Sequence, residues 1–65
     1  MSNNDVVRGF HKAILFTARE KLGRPLTDKE TAFVTSRGGL VALEMILDTV
    51  RADPAAEIER YLNSE

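Results

Sequence analysis

Gly38-Gly39-Leu40-Val41-Ala42-Leu43-Glu44-Met45-Ile46-Leu47-Asp48-Thr49-Val50-Arg51-Ala52 is the most apolar stretch of the chain and contains its only Gly-Gly pair. At 3.6 residues per turn, a helix from about Leu40 to Ala52 gathers Leu40, Leu43, Ile46, Leu47 and Val50 on one face. Val41, Ala42 and Met45 carry the apolar surface well beyond that face, and only Glu44, Asp48 and Arg51 cluster opposite it. A helix with so narrow a polar wedge is expected to be buried from several directions. The rest of the chain is therefore read as cover for this segment.

Upstream, Val6, Val7, Phe10, Ala13, Ile14 and Ala18 share one broad face of a helix from about Asp5 to Leu22, with Ser2 or Asn4 as candidate N-caps. Gly23 supplies a stop and Pro25 keeps the helix from continuing. Thr27-Asp28-Lys29-Glu30 is a capping box that opens a second helix, expected to reach about Arg37. Its apolar content is only Ala32, Phe33 and Val34, too little for it to stand alone. One glycine of Gly38-Gly39 is expected to take positive φ at the end of this helix. Downstream, Asp53 reads as an N-cap and Pro54 as the first residue of a fourth helix to Leu62, with Ala55, Ile58, Tyr61 and Leu62 as its stripe.

The 65 residues allow one domain, residues 1–65, and Met1 fits a whole small gene product. A domain this small buries only about 60% of its unfolded surface, and it contains no cysteine to staple it. The absence of cysteine also excludes a thiolate nucleophile and a Cys-based zinc site. The expected fold is all-α: a small three- to four-helix bundle with the helix at about 40–52 at its centre and the first and fourth helices packed on it. A homodimer is expected, because the apolar surface is generous for the length.

Net charge is −1, which makes no bulk electrostatic case for nucleic acid or an anionic membrane. The balance is uneven along the chain. Residues 1–25 carry five cations against Asp5 and Glu20, a net of +3, and residues 26–65 carry four cations against eight acids, a net of −4. Such a division suits a polarised partner surface or head-to-tail self-association as well as two solvated faces. No apolar run approaches the ~20 residues of a membrane span. Nor does a basic stretch precede an apolar one at the N-terminus, so a cytoplasmic protein is expected.

Candidate chemistry is sparse. His11 is the sole histidine and has no carboxylate three or four residues away on a helix to orient it, so it reads as a surface or interface residue. Glu44 and Asp48 form an i, i+4 carboxylate pair, but no histidine joins them and they face away from the apolar side. Arg37-Gly38-Gly39 lacks the rest of a phosphate loop. The helix–turn–helix outline of the second and third helices fails as a DNA reader, because its reading helix would present Glu44 and Asp48 to phosphates. No catalytic, metal or cofactor residue is assigned, and the protein is expected not to be an enzyme.

What remains is surface. Arg8, Lys12 and Arg19 lie within ~40° of one another on the first helix. Leu15 sits among them, and Leu15 and Phe16 fall outside the main apolar face, which argues for a second buried surface there. Val41 and Met45 raise the same argument for the third helix. These seven residues are the candidate interaction set. They suit a non-enzymatic protein–protein interaction module or small regulator that acts as a homodimer or docks on a larger partner. The alternative is a nucleic-acid-associated modulator using the basic stripe. Leu26-Thr27-Asp28-x-Glu30-x-Ala32, followed by an apolar helix, resembles the middle of the Hha family of small nucleoid modulators, helical proteins that act on DNA through a protein partner. The resemblance covers seven positions; the Gly-Gly pair and the C-terminal helix depart from it, and it assigns no functional residue.

Overall fold

The computed structural model describes residues 3–64. Among them the chain forms four helices and no strand: α1 (Asn3–Leu22), α2 (Asp28–Thr35), α3 (Leu40–Ala52) and α4 (Ala55–Leu62). The radius of gyration, 11.0 Å, is close to the ~10.7 Å of a compact chain of this length. No helix of the described residues is long and apolar enough to cross a membrane.

The helix boundaries follow local chemistry where that chemistry is strong. Gly23 has φ +70°, and its N–H donates to the Arg19 carbonyl at 2.9 Å, closing α1 in the left-handed conformation that glycine adopts at least cost. At the start of α2 both halves of the capping box are present: the Glu30 N–H donates to Thr27 Oγ1 at 3.2 Å, and the Thr27 N–H donates to Glu30 Oε1 at 2.8 Å.

Other boundaries differ from expectation. Ser2 lies outside the described residues, and Asn4 is inside α1 rather than at its cap. Helix α2 ends at Thr35, and the chain tightens through an Arg37 N–H to Val34 carbonyl bond of 3.2 Å. Neither Gly38 nor Gly39 takes positive φ; Gly39 is the extended N-cap of α3 at φ −82°. Asp53 does not cap α4. Its N–H still serves α3 by donating to the Thr49 carbonyl at 2.9 Å, and Pro54 becomes the N-cap, its carbonyl accepting from Ile58 at 3.0 Å.

The core is Ile14 and Ala18 of α1, Phe33 and Val34 of α2, Leu43, Ile46, Leu47 and Val50 of α3, and Ile58 and Leu62 of α4. Helix α3 thus contributes more buried residues than any other helix, as its composition promised. It is not enclosed, however. Helix α1 packs substantially on all three others, while α3 packs chiefly on α1 and meets α2 and α4 only weakly, and α4 lies on α1 and α2. The outward side of α3 leaves Val41 at 74% and Met45 at 63% exposure. A 65-residue chain has too few helices to surround one of its own, so the long α1 becomes the platform and α3 covers one side of it.

Polar contacts fix the ends. Phe33 and Tyr61 pack edge to face with centroids 5.3 Å apart, and the Arg37 guanidinium lies 4.6 Å over the Phe33 ring. Lys21 Nζ donates to the Arg51 carbonyl at 2.6 Å and the Asp53 carbonyl at 3.2 Å, tying the end of α1 to the end of α3.

Among the described residues the one buried charge is Glu30, whose side chain is 1% exposed. Arg24 grips it with both terminal nitrogens at 2.9 Å, and Asn63 Nδ2 donates to Oε2 at 2.8 Å. Arg24 also reaches Glu59 Oε1 at 3.0 Å. The Arg24 hydrogen bonds, opposed by burial and helped by Thr27 and Asn63, hold the Glu30 carboxyl at about 2, below its ordinary 4.5. The same contacts raise the Arg24 guanidinium.

Two sets of variants test this account by urea denaturation. Glu30→Gln keeps an acceptor for Thr27 but turns an amide donor toward Arg24 or Asn63, so a loss of about 1.5–3 kcal/mol is expected at pH 7. Because the folded pKa is depressed, the Glu30 contribution is complete above about 4.5 and fades as pH falls toward 2. The gap between wild type and Glu30→Gln should close over that interval, and a gap constant with pH would remove the electrostatic assignment. For the glycines, Gly23→Ala should cost about 1–2 kcal/mol at its positive φ. Gly9→Ala, mid-helix with open space around its added Cβ, should gain about 0.5–1 kcal/mol.

Candidate functional site

Two surfaces bring the sequence-predicted residues together in separate groups. The first is built by the α1–α2 turn. Gly23 reverses the chain, Pro25 and Leu26 run back alongside α1, and Thr27 restarts the helix. The result is an open groove of about 600 Å³ lined by Lys12, Leu15, Phe16 and Arg19 of α1, Pro25 and Leu26 of the turn, and Thr31 of α2. Leu15 and Leu26 are half-buried and pack against the core, so they form its apolar base. Phe16 stands 65% exposed, and Lys12 and Arg19 are exposed charges on the same lining. Arg8 is also exposed on α1 but does not line the groove.

The second surface is the outward face of α3. Val41 and Met45 are one helical turn apart, and Glu44 and Asp48 are exposed beside them. The sequence reading separated the acids from these apolar residues; the structure places all four on the solvent side. Among the described residues no ion pair engages Lys12, Arg19, Glu44 or Asp48.

His11 is half-buried, and its Nε2 lies 2.7 Å from the Arg37 carbonyl. A carbonyl only accepts, so this nitrogen carries the proton, and the imidazole fastens α1 to the segment after α2. Arg24 and Asn63, neither singled out from the sequence, border a polar depression with Glu59, Glu30, Thr27, Ala56 and Arg60. Its buried polar atoms are all partnered, so it serves the fold. Among the described residues no three His, Asp or Glu side chains converge as metal ligands would.

Pro25 and Leu26 were missed as members of the groove. A helix stop followed by proline marks a reversal, but it does not say which face of α1 the returning chain will meet. Comparison with family models, with curated proteins and with solved structures found no match, so the geometry of the two surfaces carries the functional reading.

Proposed function

We propose that this chain is a non-enzymatic protein–protein interaction module, a small regulator that works as a homodimer or by docking on a larger partner through the α1–α2 groove. One observation carries the reading: Phe16, 65% exposed, stands on a groove whose base is Leu15 and Leu26 and whose lining includes two cations with no ion-pair partner among the described residues. A lone exposed apolar residue is ordinary on any protein surface. An aromatic at a concave apolar site with charges at hand is the pattern of an interface anchor. Burying a whole Phe side chain contributes about 1.5–3 kcal/mol, so a partner covering the exposed part of this ring gains a large share of that.

The test is a photo-crosslinking phenylalanine analogue at Phe16, compared in the host cell with the same analogue at the exposed Ala56. A discrete adduct is expected from the first position and should disappear with Lys12→Glu/Arg19→Glu. Equal labelling at the two positions would remove the groove as an interface.

A second reading, a nucleic-acid-associated modulator, draws on the exposure of Arg8, Lys12 and Arg19 along one side of α1. Three phosphate contacts predict a binding constant that falls with salt at a log–log slope of about −2.7. Fluorescence anisotropy with a labelled duplex and a labelled single strand decides it: no binding at low ionic strength eliminates this reading.

A further inference from the structure

The interaction reading leaves the occupant of the groove unnamed, and the second surface supplies a candidate. Resting on that reading, we propose that the groove receives the outward face of α3 from a second copy of the chain. Val41 and Met45 would sit against Leu15, Phe16 and Leu26, with Glu44 and Asp48 paired to Lys12 and Arg19.

An exposed apolar pair one turn apart on a helix is the anchor pattern of a helix laid in a groove, and Val41 and Met45 form such a pair at 74% and 63% exposure. The signs of charge match as well. The groove carries two cations and no carboxylate. The α3 face carries Glu44 three residues after Val41 and Asp48 three residues after Met45, so each apolar anchor has an acid beside it. All four charges lack an ion-pair partner among the described residues. Along their helices Lys12 and Arg19 are separated by about 10.5 Å, and Glu44 and Asp48 by about 6 Å. Two long cationic side chains converging from the groove can span that difference.

Placement then sets the symmetry. Lys21 reaches the carbonyls at the end of α3, so α3 lies on the Lys21 side of α1. Lys12 precedes Lys21 by nine residues, about two and a half turns, which puts the groove on the opposite side of α1. One chain therefore offers its groove and its α3 face in different directions and cannot use both against the same neighbour about one two-fold axis. The contact is heterologous, head to tail, so the self-association named above as a homodimer becomes, on this geometry, a ring or a chain of copies rather than a closed two-fold pair. A single groove–helix contact belongs with small, transient interfaces, so association is expected at roughly 10 µM to 1 mM.

Sedimentation velocity on mixtures tests this. Wild type should sediment faster as concentration rises, and less so in high salt. Phe16→Glu blocks the groove and Met45→Glu blocks the α3 face, so each alone should stay monomeric. Mixed, they should form a 1:1 dimer and nothing larger, because one retains the α3 face and the other the groove. A mixture that stays monomeric overturns the proposal, as does wild type that stays monomeric at 1 mM. Should either variant lose its helical circular dichroism, Lys12→Glu/Arg19→Glu and Glu44→Lys/Asp48→Lys take their places: each alone should stay monomeric, and their mixture should associate beyond a dimer, because the reversed groove and the reversed α3 face also attract each other; a mixture that stays monomeric overturns the proposal. A crosslinked adduct of foreign mass at Phe16 beside a monomeric wild type would overturn self-occupancy while leaving the interaction reading intact. Absence of both would remove the two together.

Discussion

The Glu30 carboxylate is the constraint on which the arrangement of this small protein depends. It accepts from the N-cap of its own helix, from Arg24 in the turn before it, and from Asn63 at the end of α4. A charge with 1% exposure is tolerable only when its lone pairs are used and an opposite charge faces it. Both conditions are met by residues from three different segments. The carboxylate therefore works as a fastener whose cost of desolvation is offset only in the assembled state. With no disulfide to restrict the unfolded chain, such a fastener gives a 65-residue helical protein a definite geometry that apolar packing leaves loosely specified.

The same turn that holds the fastener also makes the groove. Arg24 enters the ion network, Pro25 and Leu26 line the groove, and Thr27 begins α2, in four consecutive residues. The interface proposed above is thus built on a segment pinned at both ends, by the left-handed Gly23 and by the capping box. That is the preorganisation a binding surface needs if little entropy is to be lost on contact.

What could be read from the sequence was local. Gly23 as a stop, the Thr27–Glu30 box and the heptad-like spacing of Leu43, Ile46, Leu47 and Val50 each depend on neighbours within four residues, and each appears in the structure. The oddity of Phe16, Val41 and Met45 was also legible, because a helical wheel shows which apolar residues leave the main face. Their fate was not. Whether an off-face residue is covered depends on how many helices lie around it, and here α3 packs chiefly on α1 alone. The Arg24–Glu59 and Glu30–Asn63 contacts join residues 35 and 33 positions apart, with no periodic signal to announce them. Gly38-Gly39 misled in the other direction: both glycines lie in conformations open to other residues, with empty space where a Cβ would be, and nothing in the structure explains why glycine stands there.

Helix α3 begins at Gly39 with no side chain to accept from its first-turn amides. Those amides have no partner earlier in the helix, and an uncapped first turn is the part of a helix that opens and closes most readily. Leu40 and Val41 lie in that turn, both exposed. The first turn of α3 is therefore a locally labile unit at the edge of a well-packed one. A neighbour resting on Val41 would slow its opening as well as cover its side chain. Amide exchange in residues 40–42 would then report contact at a distance from the core, with no change in the global stability of the fold.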